Sequence, residues 1–329
     1  MTVVANFADQ AFTRLSDQSS PLNWCVLIDP TLGDPGESLL EGMDSQAAQQ
    51  HIRLPFSESY CPYLLKADNP RDAERLLSAS IELARSELSG VSKGVARSVH
   101  AWLRMDQMDL SLLALAMQIG KNALVKVPSS RSLKVFRFYD SRLSTKLISL
   151  IGLEGWRALA GESWNSWWVP DAREGVVPLT STVQAAVMEP RKLPLHLTER
   201  EFRAIEHLGW SNRIETAAYR WELPSPATRQ LIEQIASTAL LRGLTSDKDI
   251  LAFAYCSLVW HADFHVHPDV EAIFARIGDK NAETPDFSFL VEQIEDEHWQ
   301  EIVCWLNNQQ SAGKSERPTA ETGIERVIL

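Results

Sequence analysis

Apolar and polar positions in the first half of the chain alternate between strand-like runs and helix-like periods. The runs "WCVLID", "PYLLKAD" and "VARSVHAWLRM" have the length and flanking turn residues of buried strands. In "NPRDAERLLSASIELARSEL" apolar residues recur at helical spacing, with Asn69 as the cap and Pro70 in the first turn. Another helix is predicted to open at Asp106 or Asp109 and to run through Gln118. Strands that alternate with helices predict an α/β layer architecture.

A short gap in this pattern predicts a hairpin. The strand-like runs "ALVKV" and "LKVFRFY" are separated only by "PSSRS", which is too short for the helical crossover that joins parallel strands. We therefore expect the sheet of this α/β domain to be mixed rather than purely parallel.

The second half of the chain has helical patterns throughout. "LTEREFRAIEHL" opens with Thr198 followed three positions later by Glu201, which is the spacing of a capping box. The amphipathic segment "SPATRQLIEQIASTALLRG" ends at Gly243, a typical C-cap glycine. The later segments continue the helical period, so we expect an all-α domain.

The length of 329 residues predicts more than one domain, because a single hydrophobic core stops growing below this size. The segment "REGVVPLTSTVQAAVMEPRKLPLHL" contains three prolines and has no clean period, which is typical of a linker. We expect an α/β domain at 1–185, a linker at 186–196, a helical domain at 197–310 and a flexible polar tail at 311–329.

Charge and cysteine usage narrow the class of protein. The net charge of −11 argues against nucleic acid as a partner, and most of the negative charge follows residue 188. The four cysteines are scattered without a C-x-x-C pair, as expected of buried thiols in a reducing cytoplasm. The N-terminus lacks the features of a signal peptide. The most apolar window, 110–120, is shorter than the roughly 20 residues of a membrane span and is predicted to be a buried core helix. A cytoplasmic protein without membrane insertion is expected.

Motifs that could carry chemistry have structural alternatives. "GVSKG" matches the G-x-S-x-G nucleophile elbow with Ser92 as the nucleophile, but the expected order of strand, turn and helix is reversed here, which favours a plain loop. His261, His265 and His267 crowd into "HADFHVHPD". The first two could share a helix face and hold a metal, but a polar junction between two helices is the commoner arrangement. With no phosphate-binding loop or dinucleotide fingerprint, no cofactor is expected.

The tryptophan-rich segment "SWNSWWVPD" offers a candidate partner-binding surface. In a strand, Trp164 and Trp168 share one face while Trp167 points to the other, so one face has an aromatic side chain left to cover. Tryptophan is enriched at binding hot spots. Packing against the helical domain is the alternative.

The stretch "LKVFRFYDSR" contains an unusual set of charged and aromatic residues at a strand end. As a continuous strand it would place Val135, Arg137 and Tyr139 on one face. Asp140 follows the strand and can cap the next helix or pair with Arg137 or Arg142. A structural ion pair therefore explains the motif without catalysis.

The sequence of this stretch resembles a motif of a known protein family. "FRFYDSRL" is similar to the "fRfyDPrvl" signature of the effector-chaperone (adaptor) family of bacterial type VI secretion, and "WCVLIDPTL", "CPYLLKAD" and "VHAWLR" resemble that family's other segments in the same order. The resemblance covers roughly residues 22–180, and the segment "GLTSDKDILAFAYCSLVWHADFHVHPDVEAIF" resembles the helical tail of the family. Arg137, Tyr139 and Asp140 match the signature, whereas Ser141 stands where proline is usual.

The resemblance implies a cytoplasmic, non-catalytic chaperone or adaptor. Such a protein binds a toxic effector and helps to load it onto the VgrG spike or its PAAR tip. An immunity protein that neutralises a toxin is an alternative function, and a serine hydrolase that uses Ser92 is a further one. Arg137, Tyr139 and Asp140 are expected to have a structural role.

Overall fold

A six-stranded sheet organises the first of two compact units, residues 1–216. In this computed structural model the described residues are 7–44, 47–88, 97–128, 130–171, 174–180, 189–221, 223, 227–277 and 286–315. The strands, in chain order, are β1 (Trp24–Ile28), β2 (Ala48–His51), β3 (Tyr63–Lys66), β4 (Val99–Arg104), β5 (Leu124–Lys126), β6 (Leu133–Val135), β7 (Trp167–Asp171) and β8 (Gly175–Pro178). The spatial order of the large sheet is β2-β3-β1-β4-β7-β8, and β5 and β6 form a separate two-stranded sheet.

Helices cover both faces of the large sheet, which gives three layers. They are α1 (Phe7–Gln18), α2 (Gly36–Leu40), α3 (Pro70–Leu88), α4 (Leu112–Asn122), α5 (Ser141–Ala160) and α6 (Glu199–Arg220). Because side chains alternate along a strand, β1 feeds two cores: Cys25 and Leu27 pack with residues of α4 and α5, while Val26 and Ile28 pack with residues of α1 and α3. All five residues of β1 are buried, which explains its continuous apolar run.

The predicted fold class, an α/β domain followed by an all-α domain, is confirmed. The pairing within the sheet differs from the expected mixed arrangement, because every ladder between the described strands is antiparallel. Among the described residues, parallel pairing is found only at an isolated bridge between Lys126 and His196. The predicted hairpin of β5 and β6 is present, but it stands apart from the large sheet.

Two of the predicted helix starts are confirmed and one is wrong. Asn69 accepts a hydrogen bond from the backbone N–H of Asp72 at 2.9 Å, and Thr198 and Glu201 form the reciprocal bonds of a capping box. Helix α4, however, is capped by Ser111, whose hydroxyl accepts from Ala114 N–H at 3.2 Å. The helix therefore begins after Ser111 rather than at Asp106 or Asp109, and it runs past Gln118 to Asn122.

The segment expected to be a linker is described from residue 189 onward, and it packs onto the first unit. Leu195 and Leu197 are buried in the core, and their main-chain groups bond to Lys126 of β5. Arg191 forms an ion pair with Glu201 at 2.6 Å. The boundary between the two compact units lies within α6, after Thr216.

The second unit, residues 217–329, is helical in its described residues. Its helices are α7 (Arg229–Leu241), α8 (Asp247–Val259), α9 (Pro268–Ile277), α10 (Phe287–Glu292) and α11 (Asp296–Ser315). Phe253, Phe264 and Phe287 are fully buried and contact one another. Gly243 follows α7 with a φ of 83°, as a C-cap glycine requires. Of the tail predicted at 311–329, the first residues continue α11, and residues 316–329 lie outside the described part of the chain.

The described helices include no segment with both the length and the apolar character that crossing a bilayer requires. Cys25, Cys61 and Cys256 are buried, as the sequence indicated, whereas Cys304 is exposed on α11.

Candidate functional site

The signature stretch forms a tight turn rather than a continuous strand. Strand β6 ends at Val135, and the backbone N–H of Asp140 then donates to the carbonyl of Arg137 at 3.0 Å. Phe138 and Tyr139 are both buried, while Arg137 is half-buried. The expectation that Arg137 and Tyr139 share a strand face is therefore wrong, because the chain leaves the extended conformation before Arg137.

Arg137 forms an ion pair with Asp29, the residue that follows β1. The guanidinium Nη2 donates to Asp29 Oδ2 and lies 3.3 Å from the Thr31 hydroxyl. The Asp29 side chain is only 2% exposed, whereas that of Arg137 is 39% exposed. Asp29 also accepts from the backbone N–H of Thr31 at 3.0 Å and so caps the short 3₁₀ turn after β1. The signature turn is thus fixed to the end of the central strand.

Asp140 caps α5 and pairs with Arg142 rather than with Arg137. Its carboxylate accepts from the backbone N–H of Arg142 at 3.0 Å and from the Arg142 guanidinium at 3.1 and 2.8 Å. Burial alone would raise the pKa of Asp140, but interaction with His100 and the hydrogen bonds from Arg142 hold it well below its usual range. Asp140 is therefore an anion in the folded protein.

His100, from the "VHAWLR" strand, lies at the centre of this region. Its Nδ1 accepts a hydrogen bond from the backbone N–H of Ser141 at 3.1 Å, so the ring proton of the neutral imidazole is on Nε2. A proline at position 141 could not donate this bond. His100 Nε2 is 3.9 Å from Asp29 and Nδ1 is 3.9 Å from Asp140. Burial lowers the pKa of His100 to about 4, so the ring is neutral at physiological pH.

We refer to Asp29, His100, Arg137, Asp140 and Arg142 as the signature cluster. It joins the end of β1, the start of β4 and the cap of α5. His100 is 1% exposed and its acceptor nitrogen is already bonded to Ser141. Its Nε2 is also buried and has no hydrogen-bond partner among the described residues, with Asp29 Oδ2 3.9 Å away. The chemistry of the cluster is that of a buried ion-pair network that holds three chain segments together.

The tryptophans predicted to bind a partner are mainly core residues, and Trp167 requires a correction. Trp167 is 1% exposed, donates to the Ser163 hydroxyl at 2.9 Å, and contacts Phe138 and Trp156. It packs inside the first unit and offers no surface to a partner. Trp164 and Trp168 are partly buried, each against one of the two cores. Trp167 and Trp168 do point to opposite faces, as strand alternation requires. The expectation that Trp164 and Trp168 share a face is wrong, because Trp164 precedes β7 and packs against the same core as Trp167.

The histidines of "HADFHVHPD" do not share a helix face, because α8 ends at Val259 and residues 264–266 form a 3₁₀ turn. His261 Nδ1 accepts from the backbone N–H of Asp263 at 3.1 Å, and His265 packs against Phe253. His267 Nδ1 accepts from the backbone N–H of Asp269 at 3.3 Å. Across the described ranges, no group of three or more His, Cys, Asp or Glu side chains is arranged to hold a metal ion. Ser92, the candidate nucleophile, lies outside those ranges.

Sequence reasoning missed a set of exposed apolar side chains on the first unit. Phe56 and Tyr60, in the connection between β2 and β3, are 48% and 60% exposed, and Leu113 and Met117 of α4 are 49% and 59% exposed. The window 110–120, predicted to be a buried core helix, contains most of α4, and two of its apolar side chains are exposed. A helix with one buried face needs only a stripe of apolar positions. The near absence of polar residues in this window was therefore the signal in the sequence for apolar side chains on the surface.

Comparison with known proteins identifies no relative. No family model matches the chain, and neither the curated proteins nor the solved structures contain a significant match. The functional assignment consequently depends on the motifs of the sequence and on the geometry of the described residues.

Proposed function

We propose that this protein is a cytoplasmic, non-catalytic chaperone or adaptor that binds a type VI secretion effector and helps to load it onto the VgrG spike or its PAAR tip. The observation that carries the proposal is the convergence of the motifs that resemble this family. "WCVLID" contributes Asp29, "VHAWLR" contributes His100, and "FRFYDSR" contributes Arg137 and Asp140 to one buried cluster.

This convergence supports the resemblance because the motifs are far apart in the sequence. Asp29 and Arg137 are separated by 108 positions and yet form an ion pair. Unrelated short matches need not meet in the fold. Motifs that specify a shared scaffold are expected to contact one another, since they hold the same turn in place.

The character of the cluster supports a binding role over catalysis. His100 is neutral, buried and bonded through its acceptor nitrogen, and Asp140 is engaged by Arg142. We take their role to be the positioning of the turn, because a general base must reach the proton that it abstracts and the His100 side chain is only 1% exposed. Phe56, Tyr60 and Met117 expose large apolar side chains that a client could cover.

The acidic second half of the chain suggests how a client would be attracted. Charged surfaces that complement a partner raise the association rate more than the final affinity. If the client surface is basic, association slows as salt rises, since the Debye length falls to about 8 Å at physiological ionic strength. Stopped-flow association rates at several salt concentrations would measure this effect, and a flat response would remove the electrostatic part of the proposal.

The proposal is tested by co-expressing the tagged protein with the products of its neighbouring genes and identifying the captured proteins by mass spectrometry. We expect a stable complex with a toxin or a spike protein. An unrelated tagged protein of similar net charge serves as the control for non-specific capture. Recovery of the protein alone, while the neighbouring products are soluble, would contradict the chaperone function.

Activity measurements distinguish the chaperone from the two alternative functions, an immunity protein and a serine hydrolase. An immunity protein would abolish the activity of the captured toxin, whereas a chaperone leaves the toxin active after delivery. A serine hydrolase would show esterase activity that is lost in Ser92→Ala. Equal, near-zero rates for wild type and Ser92→Ala would exclude that hydrolase mechanism.

A further inference from the structure

The two edge strands of the large sheet, β8 and β2, differ in how far other parts of the chain cover them. On β8, helix α1 packs against the strand, Arg14 Nη1 donates to the carbonyl of Val176 at 3.1 Å, and the Phe7 carbonyl approaches Gly175 closely. On β2, the opposite edge, β3 is the only strand that pairs with it among the described residues. Proteins usually block exposed edges, so the open edge of β2 is the exception.

The main-chain groups of β2 that face outward follow from its register. The N–H of Ile52 donates to Pro62 O at 2.8 Å, and hydrogen-bonded pairs alternate along an antiparallel ladder. Gln50 therefore bonds toward β3, opposite Leu64, while the main-chain groups of Gln49 and His51 point away from the sheet. The carbonyl of His51 accepts a long 3.4 Å contact from the Gln50 side chain. Among the described residues no other hydrogen bond to these groups is found, so the edge presents both N–H groups and the carbonyl of Gln49.

An apolar stripe of α4 borders this edge. Leu113, Met117 and Gly120 recur at spacings of four and three, so they share one side of the helix. Gly120 fixes where that side points, because a Cβ there would lie 2.6 Å from the carbonyl oxygen of Arg53, two residues after β2. Leu113 and Met117 thus lie on the β2 side of α4 and are 49% and 59% exposed.

The charge at one end of the stripe adds a third feature. Arg53 and Lys121 are both exposed, and they flank the contact between Gly120 and the chain after β2. An incoming segment would meet main-chain partners along β2, apolar side chains on α4, and two cations at the Gly120 end. That combination matches an extended apolar segment with an acidic residue near one end.

We infer that such a segment of the client protein adds to β2 as a further strand, with alternate side chains on the Leu113–Met117 stripe. This inference rests on the proposed chaperone function and names its binding surface. A second copy of the chain fits less well, because pairing of β2 with itself brings only the side chains of "AQQH" to the apolar stripe.

The test separates main-chain docking from side-chain effects. Peptides about twelve residues long, selected by phage display on the full-length protein, are measured by fluorescence anisotropy. Gln49→Pro removes an outward N–H but no β2–β3 bond, while Gln49→Ala keeps that N–H and is the matched control. We expect about tenfold weaker binding for Gln49→Pro and for Met117→Glu, unchanged binding for Gln49→Ala, and thermal unfolding close to wild type for all three.

Selected peptides that bind Gln49→Pro as tightly as wild type, or a selection that yields no binder, would overturn the inference. So would a dimer of the isolated protein that Gln49→Pro converts to a monomer, which would assign the edge to a second copy. If the co-expression complex forms and survives both Gln49→Pro and Met117→Glu, the chaperone function stands and this surface is wrong. If no client is captured while the peptides bind as expected, the surface stands and the proposed function fails.

Discussion

The guanidinium of Arg137 donates to the carboxylate of Asp29, 108 positions earlier in the chain. The ion pair is asymmetric, because the Asp29 side chain is almost fully buried and that of Arg137 is more than a third exposed. The desolvated partner is therefore the carboxylate, which depends on the arginine and on the turn at Thr31 for its hydrogen bonds. The contact fixes the signature turn to the strand at the centre of the sheet.

Removing this arginine leaves a buried carboxylate without its cation. We expect Arg137→Ala to lower the free energy of unfolding by about 1–2 kcal/mol, with Thr31 still donating to Asp29. Arg203→Ala is the matched control, because Arg203 pairs with Glu199 at 2.7 Å with both side chains largely exposed, and such pairs contribute less than about 0.5 kcal/mol. Urea denaturation followed by circular dichroism measures both; equal losses would contradict the structural role of Arg137.

The local pattern of the chain was sufficient to predict β1, β3 and β4, since each is a nearly continuous apolar run. It was insufficient for β2, whose sequence "AQQH" has no apolar residue beyond alanine. That segment becomes a strand through its pairing with β3, a non-local effect that propensity does not contain. The surface inferred for the client lies on this strand.

In the signature cluster, too, some contacts follow from the local sequence and others arise only from the fold. Asp140 as the cap of α5 follows from its place before a helix, and the sequence indicated it. The pairing of Arg137 with Asp29 instead of Asp140 depends on the fold, as does the burial of His100 between two carboxylates. The sequence leaves open whether Trp167 packs or binds a partner, because its contacts with Phe138 and Trp156 form only in the fold.

Acid is expected to destabilise the fold through His100. Burial lowers its pKa to about 4, below the value of about 6.5 in an unfolded chain. The unfolded state therefore binds the proton first, and stability is lost as the pH falls from about 6.5 to about 4, by about 2–3 kcal/mol. Asp140, whose pKa is depressed, adds a further loss only below about pH 4.

Unfolding free energies from urea titrations between pH 7 and pH 4.5 check this dependence. His100→Asn keeps an acceptor for the Ser141 N–H but cannot be protonated, so its stability should vary less with pH. His265 also has a pKa lowered by burial and is present in both proteins, so the difference between the two slopes isolates His100. Parallel slopes would show that His100 does not titrate in this way.

The burial of Trp167 predicts the effect of its truncation. Because the side chain is fully buried and contacts Phe138 and Trp156, Trp167→Ala should cost about 3–5 kcal/mol of folding free energy. Trp168→Ala should cost less, since that side chain is only partly buried against the opposite core. Chemical denaturation ranks the two variants. A Trp167→Ala protein with wild-type stability but weaker client binding would restore the hot-spot assignment.

Two helical glycines predict opposite outcomes for the same substitution. Gly120→Ala adds a Cβ 2.6 Å from the carbonyl oxygen of Arg53, whereas a Cβ at Gly209 of α6 meets nothing within 4 Å. Alanine is the better helix former by roughly 1 kcal/mol, so Gly209→Ala should stabilise by about 0.5–1 kcal/mol. At Gly120 the clash with backbone outweighs this gain, and a net loss of about 1–3 kcal/mol is expected. Thermal unfolding compares the variants. Stabilisation by Gly120→Ala would mean that α4 and the chain after β2 lie farther apart, which would also remove the geometric basis for client docking on the Leu113–Met117 stripe.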